Sequence, residues 1–339
     1  MTEISTLPKG VFEKYKPVFR IIQQYGFIFG LVLVIGLAIS NVQSMETLSL
    51  LSTSNKWLLI ALIFAFQGLG LSKDSLSQSC KPVQLPIFVL FWNFLGFPLL
   101  VASTLLWWIS PSLKMGFFFL SIVPTTIALS VAFTDLSGGR VSGALISTCI
   151  SNLIGAFLVP FVFIVLFGID AGGQIQITQM VSKIIFVLIV PVLLGYSIRH
   201  YLPLVARYCL PIKKIAVEVL LLVLIYNAFA DCFRQSLSSA VLLNYLIVCI
   251  GICFLLFLVI SALVWKSSHY FSFDRESQIA AFFTASHKSV CSGIPLILLT
   301  ISSFSKDSEQ AMILLPLIAY YFFQVCFGAY LTHRFRQTN

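Results

Sequence analysis

A lysine stands in the middle of an otherwise apolar, membrane-length stretch of this sequence. Lys288 follows Ser286 and His287, precedes Ser289, and is itself followed seven residues later by Pro295. A charged side chain at the centre of a bilayer costs roughly 2.5 to 3.5 kcal/mol on insertion scales, so it normally faces a cavity, a partner or a transported ion. Lys288 is therefore the first candidate for a functional residue, and its polar neighbours are candidates for the same site.

His287 brings proton chemistry into the same stretch. A neutral imidazole can take up and release a proton, whereas a histidine bonded to a backbone carbonyl has a purely structural role. Both interpretations are open, and proton coupling through His287 is a hypothesis.

Proline, serine and threonine make the stretches 115–134 and 277–301 poor candidates for unbroken helices. Proline removes a backbone donor and frees a carbonyl one turn back, and hydroxyl side chains offer the backbone other hydrogen bonds. We expect both stretches to break near the membrane centre, where irregular backbone is tolerated only around a cavity. Ordinary proline kinks are the alternative. The candidate site residues of the first stretch are Pro124, Thr125, Thr126 and Ser130.

Polar side chains in other apolar stretches are candidates for the same site, namely Asn93, Ser151, Asn152 and Gln324. Ser151 and Asn152 each have a polar neighbour one helical turn earlier, as does Gln324, so each pair shares a helical face. Hydrogen bonding between helices, worth only about 0.6 kcal/mol on average, is the alternative role. Asp231, with Asn227 one turn earlier, is a candidate gate or ion pair, or an exposed cap that balances Arg234.

The elements that must position these residues are helices in a membrane. Apolar residues make up 59% of the chain and charged residues 10%, and the mean hydropathy of +0.99 excludes a water-soluble core. About 20 helical residues cross ~30 Å of hydrocarbon, and long, continuously apolar runs favour helices over a barrel. Ten such stretches predict an all-α polytopic membrane protein: 24–42, 57–72, 84–107, 115–134, 141–168, 181–199, 215–231, 241–264, 277–301 and 309–331.

Basic residues are distributed unequally between the two sides of this arrangement. Fifteen of the 21 Lys and Arg residues fall on the side of the N-terminus, so the positive-inside rule places both termini in the cytoplasm. The first stretch lacks a cleavage site of small residues and is expected to stay in the membrane, which predicts a multi-pass protein of the cell (inner) membrane. The net charge of +9 therefore reflects topology, and we reject a nucleic-acid partner.

Two halves of the chain match each other weakly when one is shifted by 161 residues. The shift aligns 73–76 with 234–237, and 124–127 with 285–288. Five stretches per half is an odd number, so the second half must run inverted relative to the first, as in many transporters. We expect repeats at about 20–168 and 181–331 within a single transmembrane transporter domain, 1–339.

With these residues the chain resembles the bile acid:sodium symporter superfamily, and within it the divergent branch related to the seventh human member. The resemblance covers nearly the whole chain, and its most specific elements are 286–289, 293–295, 68–71, 136–139 and Asp231. It implies ten helices in two inverted repeats, with helices four and nine broken and crossed. Helices one, two, six and seven would form a panel, and helices three, four, five, eight, nine and ten a core. Substrate would bind in the crevice between them.

The chain departs from this family at the break of helix nine. Sodium-coupled members carry a glutamate and a glutamine there, whereas this sequence has Ser286, His287 and Lys288. An ammonium group repels a cation by several kcal/mol at low effective dielectric. Lys288 therefore either occupies the space of a missing sodium or faces an anionic substrate. Both alternatives argue against sodium coupling of the bile acid carrier kind, although a proton or sodium remains the expected type of coupling ion.

The resulting expectation is a secondary active transporter that moves a small organic anion by alternating access. Lys288, Ser286, His287 and the broken end of the fourth stretch would hold the anionic group. The alternative is a membrane regulator of cation homeostasis without transport of its own, since the resemblance includes eukaryotic members linked to calcium entry. Zinc-protease, serine-hydrolase and P-loop patterns are absent from the sequence, so no enzyme activity, metal or cofactor is expected. The oligomeric state is left open.

Overall fold

The described part of the chain is built from helices. The computed structural model describes residues 26–38, 53–70, 83–105, 109–167, 182, 185–234, 239–301 and 307–337. The helices of these ranges are α1 (Gly26–Ala38), α2 (Thr53–Gly70), α3 (Gln84–Phe91), α4 (Phe97–Leu105), α5 (Pro111–Ile122), α6 (Ile127–Leu136), α7 (Val141–Phe167), α8 (Val190–Tyr201), α9 (Pro203–Arg234), α10 (Ser239–Tyr270), α11 (Arg275–Ser286), α12 (Val290–Ile301) and α13 (Asp307–Gln337). π-Helical turns occupy Trp92–Gly96, between α3 and α4, and Ile185–Ile189, before α8.

The lengths and compositions of these helices confirm an all-α membrane protein. Five helical segments are long and apolar enough to cross a membrane: Gln84–Ser103, Val141–Phe163, Tyr245–Tyr270, Arg275–Ile301 and Glu309–Gln337. The bent pair α5 and α6 counts as a sixth if it is one span, and Gly26–Ala38, Asn55–Gly70 and Phe186–Tyr201 are shorter apolar helices. The count of ten spans, the inverted repeats and the orientation stay predictions.

Two of the predicted spans are interrupted in the middle. In the stretch 115–134, α5 ends at Ile122, α6 begins at Ile127, and the two helices are bent by 55°. Val123 is extended, with φ −62° and ψ 137°, because Pro124 follows it and disfavours the helical conformation of the residue before it. In the stretch 277–301, α11 ends at Ser286 and α12 begins at Val290, and His287 is extended with φ −97° and ψ 141°.

Close backbone contact joins α2 to α8. A Cβ atom added to Gly68 would lie 2.0 Å from the carbonyl oxygen of Val192, and one added to Gly195 would lie 2.0 Å from that of Ala65. Only glycine permits this approach, so each helix supplies the glycine that the other requires. α9 also packs against α2.

The interrupted helices are enclosed by their neighbours. α7 packs along α3 and α6, α10 along α11 and α13, and α5 along α13. α9 contacts α13 as well as α2, and thereby links the two sets of helices. Arg275–Ile301 is 94% buried inside the protein, compared with 33% of Tyr245–Tyr270. The interrupted span that carries Lys288 is therefore central, and lipid reaches it far less than it reaches α10.

Candidate functional site

The two interruptions, residues 123–126 and 287–289, contact each other, and the place where they meet is called the crossing. The backbone amide of Ser289 donates to the carbonyl of Pro124 at 2.8 Å, and the hydroxyl of Ser130 donates to the carbonyl of Phe283 at 2.8 Å. The first bond joins the interrupted backbones directly, and the second joins α6 to α11. Peptide groups that would hydrogen-bond within an unbroken helix therefore hydrogen-bond to another segment that is far away in the sequence.

The ammonium of Lys288 lies in a cage of carbonyl oxygens. Its Nζ atom donates to the carbonyls of Ser121 at 2.7 Å, Val123 at 3.0 Å and Asn93 at 3.1 Å. Nζ also lies 4.4 Å from the centre of the Phe97 ring, within the range of a cation–π interaction. The side chain is fully buried. Because an ammonium has three donors, this cage uses all of them.

The carbonyl of Asn93 is free for this bond because of the local backbone. In the turn Trp92–Gly96 the amide of Phe97 donates to the carbonyl of Trp92, five residues earlier, and so bypasses Asn93. The next residue, Pro98, has no amide hydrogen to offer. The π-helical turn and the proline together leave the carbonyl of Asn93 without an intrahelical donor.

The carbonyls of Ser121 and Val123 are free because α5 stops beside them. In a continuous helix the amide of Thr125 would donate to Ser121, but here that amide lies 3.4 Å from the hydroxyl of Ser151 on α7. Val123 has left the helical conformation, so its carbonyl no longer follows the helix axis. Pro124 thus creates the acceptors that Lys288 uses.

α13 satisfies the backbone of the second interruption. Gln324 accepts from the amide of Lys288 at 2.8 Å and donates to its carbonyl at 2.9 Å, so one side chain pairs with both peptide groups of the residue. The hydroxyl of Tyr320, one turn earlier, donates to the carbonyl of Ser286 at 2.7 Å. The helical face shared by Tyr320 and Gln324 therefore holds the backbone around the lysine in place.

A second polar cluster connects α7 to both interruptions. Asn152 donates to the carbonyls of Thr125 at 2.7 Å and Thr148 at 2.9 Å, and accepts from the hydroxyl of Ser292 at 2.9 Å. Ser292 also lies 2.7 Å from the hydroxyl of Ser289. The amide of Asn93 donates to Ser151 at 3.3 Å, also on α7. Apart from the local contacts with Thr148 and Ser289, these are hydrogen bonds between separate segments, which is the alternative role predicted for these side chains.

His287 is enclosed by aromatic rings rather than by charged groups. Phe133, Phe257 and Phe283 lie with ring centres 5.5 to 6.3 Å from the imidazole. Nδ1 lies 3.0 Å from the hydroxyl of Ser286, which itself donates to the carbonyl of Phe282 at 2.6 Å. Nε2 is fully buried as well, close to the backbone of Gln324.

Most of the predicted site residues meet at this crossing, whereas Asp231 and Asn227 do not. Asp231 forms an ion pair with Lys56 of α2 at 3.1 Å, and Asn227 donates to the carbonyl of Val223 in its own helix at 2.7 Å. Thr126 is buried in extended conformation beside the crossing. The predicted residues that meet there are Asn93, Pro124, Thr125, Ser130, Ser151, Asn152, Ser286, His287, Lys288, Ser289 and Gln324.

Sequence reasoning missed all four groups of the cage. It chose Asn93 for its side chain, although the cage uses its carbonyl, and it gave no role to the carbonyls of Ser121 and Val123 or to the ring of Phe97. Pro98, five residues after Asn93, was the available indication of a free carbonyl.

Comparison with known proteins identifies relatives whose names describe transport. The "SBF-like CPA transporter family (DUF4137)" profile matches residues 25–337. The chain is 31% identical over 288 residues to "Putative symporter YfeH" of Escherichia coli (strain K12), covering 83% of this chain and 84% of that protein. It is 26% identical over 285 residues to "Sodium/bile acid cotransporter 7" of Danio rerio, covering 80% and 81%, respectively. The protein of that name from Rattus norvegicus is 23% identical over 288 residues, covering 81% of each chain.

Proposed function

The chain belongs to the SBF-like CPA transporter family, and on that premise we propose that it moves a small organic anion by alternating access, without coupling to sodium. It is a membrane transporter of the bile acid:sodium symporter type. The substrate class, the absence of sodium coupling and the role of Lys288 are the parts of this account that go beyond family membership.

The single observation that carries the proposal is the carbonyl cage around Lys288. Three carbonyl oxygens 2.7 to 3.1 Å from one positive nitrogen form the kind of environment that a bound monovalent cation would require. Here the cation is covalently attached to the protein, so it neither arrives nor leaves. A sodium ion in the same cage would have to displace an ammonium and remain beside it, which Coulomb repulsion opposes by several kcal/mol.

The tethered charge bears on the type of substrate that the crossing can attract. Lys288 has no donor left for a ligand in this conformation, so its contribution is the long-range field of a positive charge in a low-dielectric interior. The interruption also places the start of α12 at this depth, and helix N-termini carry partial positive charge. Both contributions favour an anion near the crossing.

The proposed movement is that of a core against a panel, with ten spans in two inverted repeats and both termini in the cytoplasm. The panel would contain α1, α2, α8 and α9. The glycine contacts between α2 and α8 support a rigid panel, because they leave no room for the two helices to slide. The shared hydrogen bonds between the interruptions support a core that moves as one unit.

A proton is the coupling ion that we propose, with His287 as the group that takes it up. The imidazole of His287 is fully buried next to the interruption. Protonation there would create a positive charge beside Lys288, which is the kind of change that can favour one conformation over another. Replacing His287 with Gln and finding the same pH profile of transport would remove this role.

Anion uptake by the purified protein in proteoliposomes tests the proposed function. We expect saturable uptake of at least one of a panel of carboxylates and sulfonates, and its loss in Lys288→Ala. Lys266→Ala is the matched control, since Lys266 is exposed on α10. If no anion flux is found and calcium influx is altered in cells that lack the gene, the alternative of a membrane regulator of cation homeostasis is favoured instead.

A further inference from the structure

A second concentration of positive charge lies at the C-terminal end of α2. Arg199 of α8 donates to the carbonyls of Leu69 at 3.0 Å and Gly70 at 3.1 Å. Lys213 of α9 reaches the same end of the helix, because a Cβ atom added to Gly70 would lie 1.8 Å from its Nζ atom. Two helices, α8 and α9, therefore bring one cation each to the C-terminal end of α2.

These two cations lack a carboxylate partner among the described residues. Among the described residues, the electrostatic neighbours of the Lys213 ammonium are the guanidinium of Arg199 and the thiols of Cys291 and Cys149, and none of these is a carboxylate. By contrast, the adjacent Lys214 forms an ion pair with Glu218 at 3.8 Å. The carbonyl end of α2 offers only about half a negative charge. Among the described residues, a net positive charge therefore remains at this end of the helix.

The position of this charge suits a ligand that reaches the crossing. Gln67, one turn before Gly70, donates to the carbonyl of Cys291 at 2.9 Å, so α2 contacts α12 here. Cys291 is the second residue of α12 and lies two residues from Ser289, whose amide bonds to the other interruption. The cations of Arg199 and Lys213 thus lie where α2, a helix of the proposed panel, meets the interrupted span of the proposed core.

We infer that Arg199 and Lys213 form a receiving site for the anionic group of the transported substrate, which can be a carboxylate, a sulfonate or a phosphate. The inference rests on the proposed transport function and names the residues that meet the substrate at the crevice mouth. In the predicted topology this mouth faces the cytoplasm. Gly70 belongs to the site because its missing side chain leaves the space that the ammonium of Lys213 occupies.

Ligand-induced stabilisation of the full-length protein tests this site without requiring transport. The midpoint of thermal unfolding is measured in nanodiscs at constant ionic strength, with increasing benzoate or inorganic phosphate and with benzyl alcohol as the neutral analogue of benzoate. We expect saturable stabilisation by at least one anion and none by benzyl alcohol. In Lys213→Gln the concentration for half-maximal stabilisation should rise about tenfold or more, as expected for loss of one partner of a desolvated charge pair.

Lys214→Gln is the matched control, because it removes the same charge from the adjacent residue of the same helix. It should bind the anion with unchanged affinity. Gly70→Ala is a second variant that keeps both charges but displaces the ammonium, and it should also weaken binding. The proposed site would be refuted if the wild type, Lys213→Gln and Gly70→Ala bind the anion with equal affinity. It would also be refuted if no anion stabilises the wild type. Transport that continues unchanged in Lys213→Gln would overturn it while leaving the proposed function intact.

Discussion

Removal of the Lys288 ammonium should destabilise the protein in a way that a small cation reverses. In Lys288→Ala the carbonyls of Asn93, Ser121 and Val123 lose their common donor. A buried acceptor left unsatisfied costs about 1 to 3 kcal/mol, which gives about 3 to 9 kcal/mol for three. The variant also avoids the several kcal/mol that desolvating an ammonium costs. We therefore expect the free energy of unfolding to fall by about 3 kcal/mol, the low end of this range.

Thermal unfolding in detergent measures this loss. For a chain of this size 1 kcal/mol corresponds to roughly 2 °C, so the midpoint should fall by about 6 °C. Methylammonium has the charge and donors of the missing group, and at a hundredfold excess over its dissociation constant it should restore about 2.7 kcal/mol. Tetramethylammonium carries the same charge without a hydrogen to donate, and should not restore it.

Two results would refute this reasoning. An unchanged midpoint in Lys288→Ala would mean that the three carbonyls do not depend on the ammonium. Equal rescue by methylammonium and tetramethylammonium would mean that the effect is one of ionic strength rather than of an occupied cage. Lys266→Ala, which removes an exposed lysine, should show neither the loss nor the rescue.

Three further substitutions test the fold around the site. Gln324→Leu removes both hydrogen bonds to the peptide groups of Lys288, and should cost about 2 to 3 kcal/mol of stability in the same thermal assay; a neutral effect would contradict the role of α13. Gly68→Ala places a Cβ against a carbonyl of α8 and should lower the yield of folded protein, whereas Gly36→Ala, with nothing within 4 Å, should not; equal yields would contradict the close helix contact. Arg140 and Asp274 form an ion pair just before α11. Burial raises the pKa of Asp274, but the Ser277 hydroxyl and the Arg140 guanidinium together lower it by more, so the net pKa is below the ordinary value. The stability from this ion pair should therefore be fully present above about pH 5 and be lost as the pH falls through the folded-state pKa. Asp274→Asn should show no such loss. If the melting temperatures of the wild type and Asp274→Asn change in parallel with pH, the pairing is contradicted.

The sequence predicted that Lys288 lies within a membrane span but not which groups surround it. A charge in an apolar stretch is visible from residue types alone, because the cost of burying it does not depend on the fold. The acceptors are backbone carbonyls, which every residue has, and only the local geometry decides which of them are free. The π-helical turn at Trp92–Gly96 and the extended residue Val123 produce that geometry.

Contacts between distant segments mark the limit of sequence reasoning here. Asp231 has Arg234 three residues away in the sequence, and that spacing suggested their pairing, whereas the structure pairs Asp231 with Lys56, 175 residues away. The helical membrane class follows from composition and is confirmed. The number of spans stays a prediction, since α1 and α8 are shorter than a bilayer requires on their own and several predicted ends lie outside the described residues.

The sodium dependence of anion uptake tests the tethered cation most directly. Uptake by wild-type proteoliposomes is compared in sodium-containing buffer and in buffer with choline in place of all sodium, at constant ionic strength and membrane potential. A cage permanently filled by Lys288 predicts equal initial rates in the two buffers. Uptake that requires sodium, with a saturable dependence on its concentration, would contradict the account.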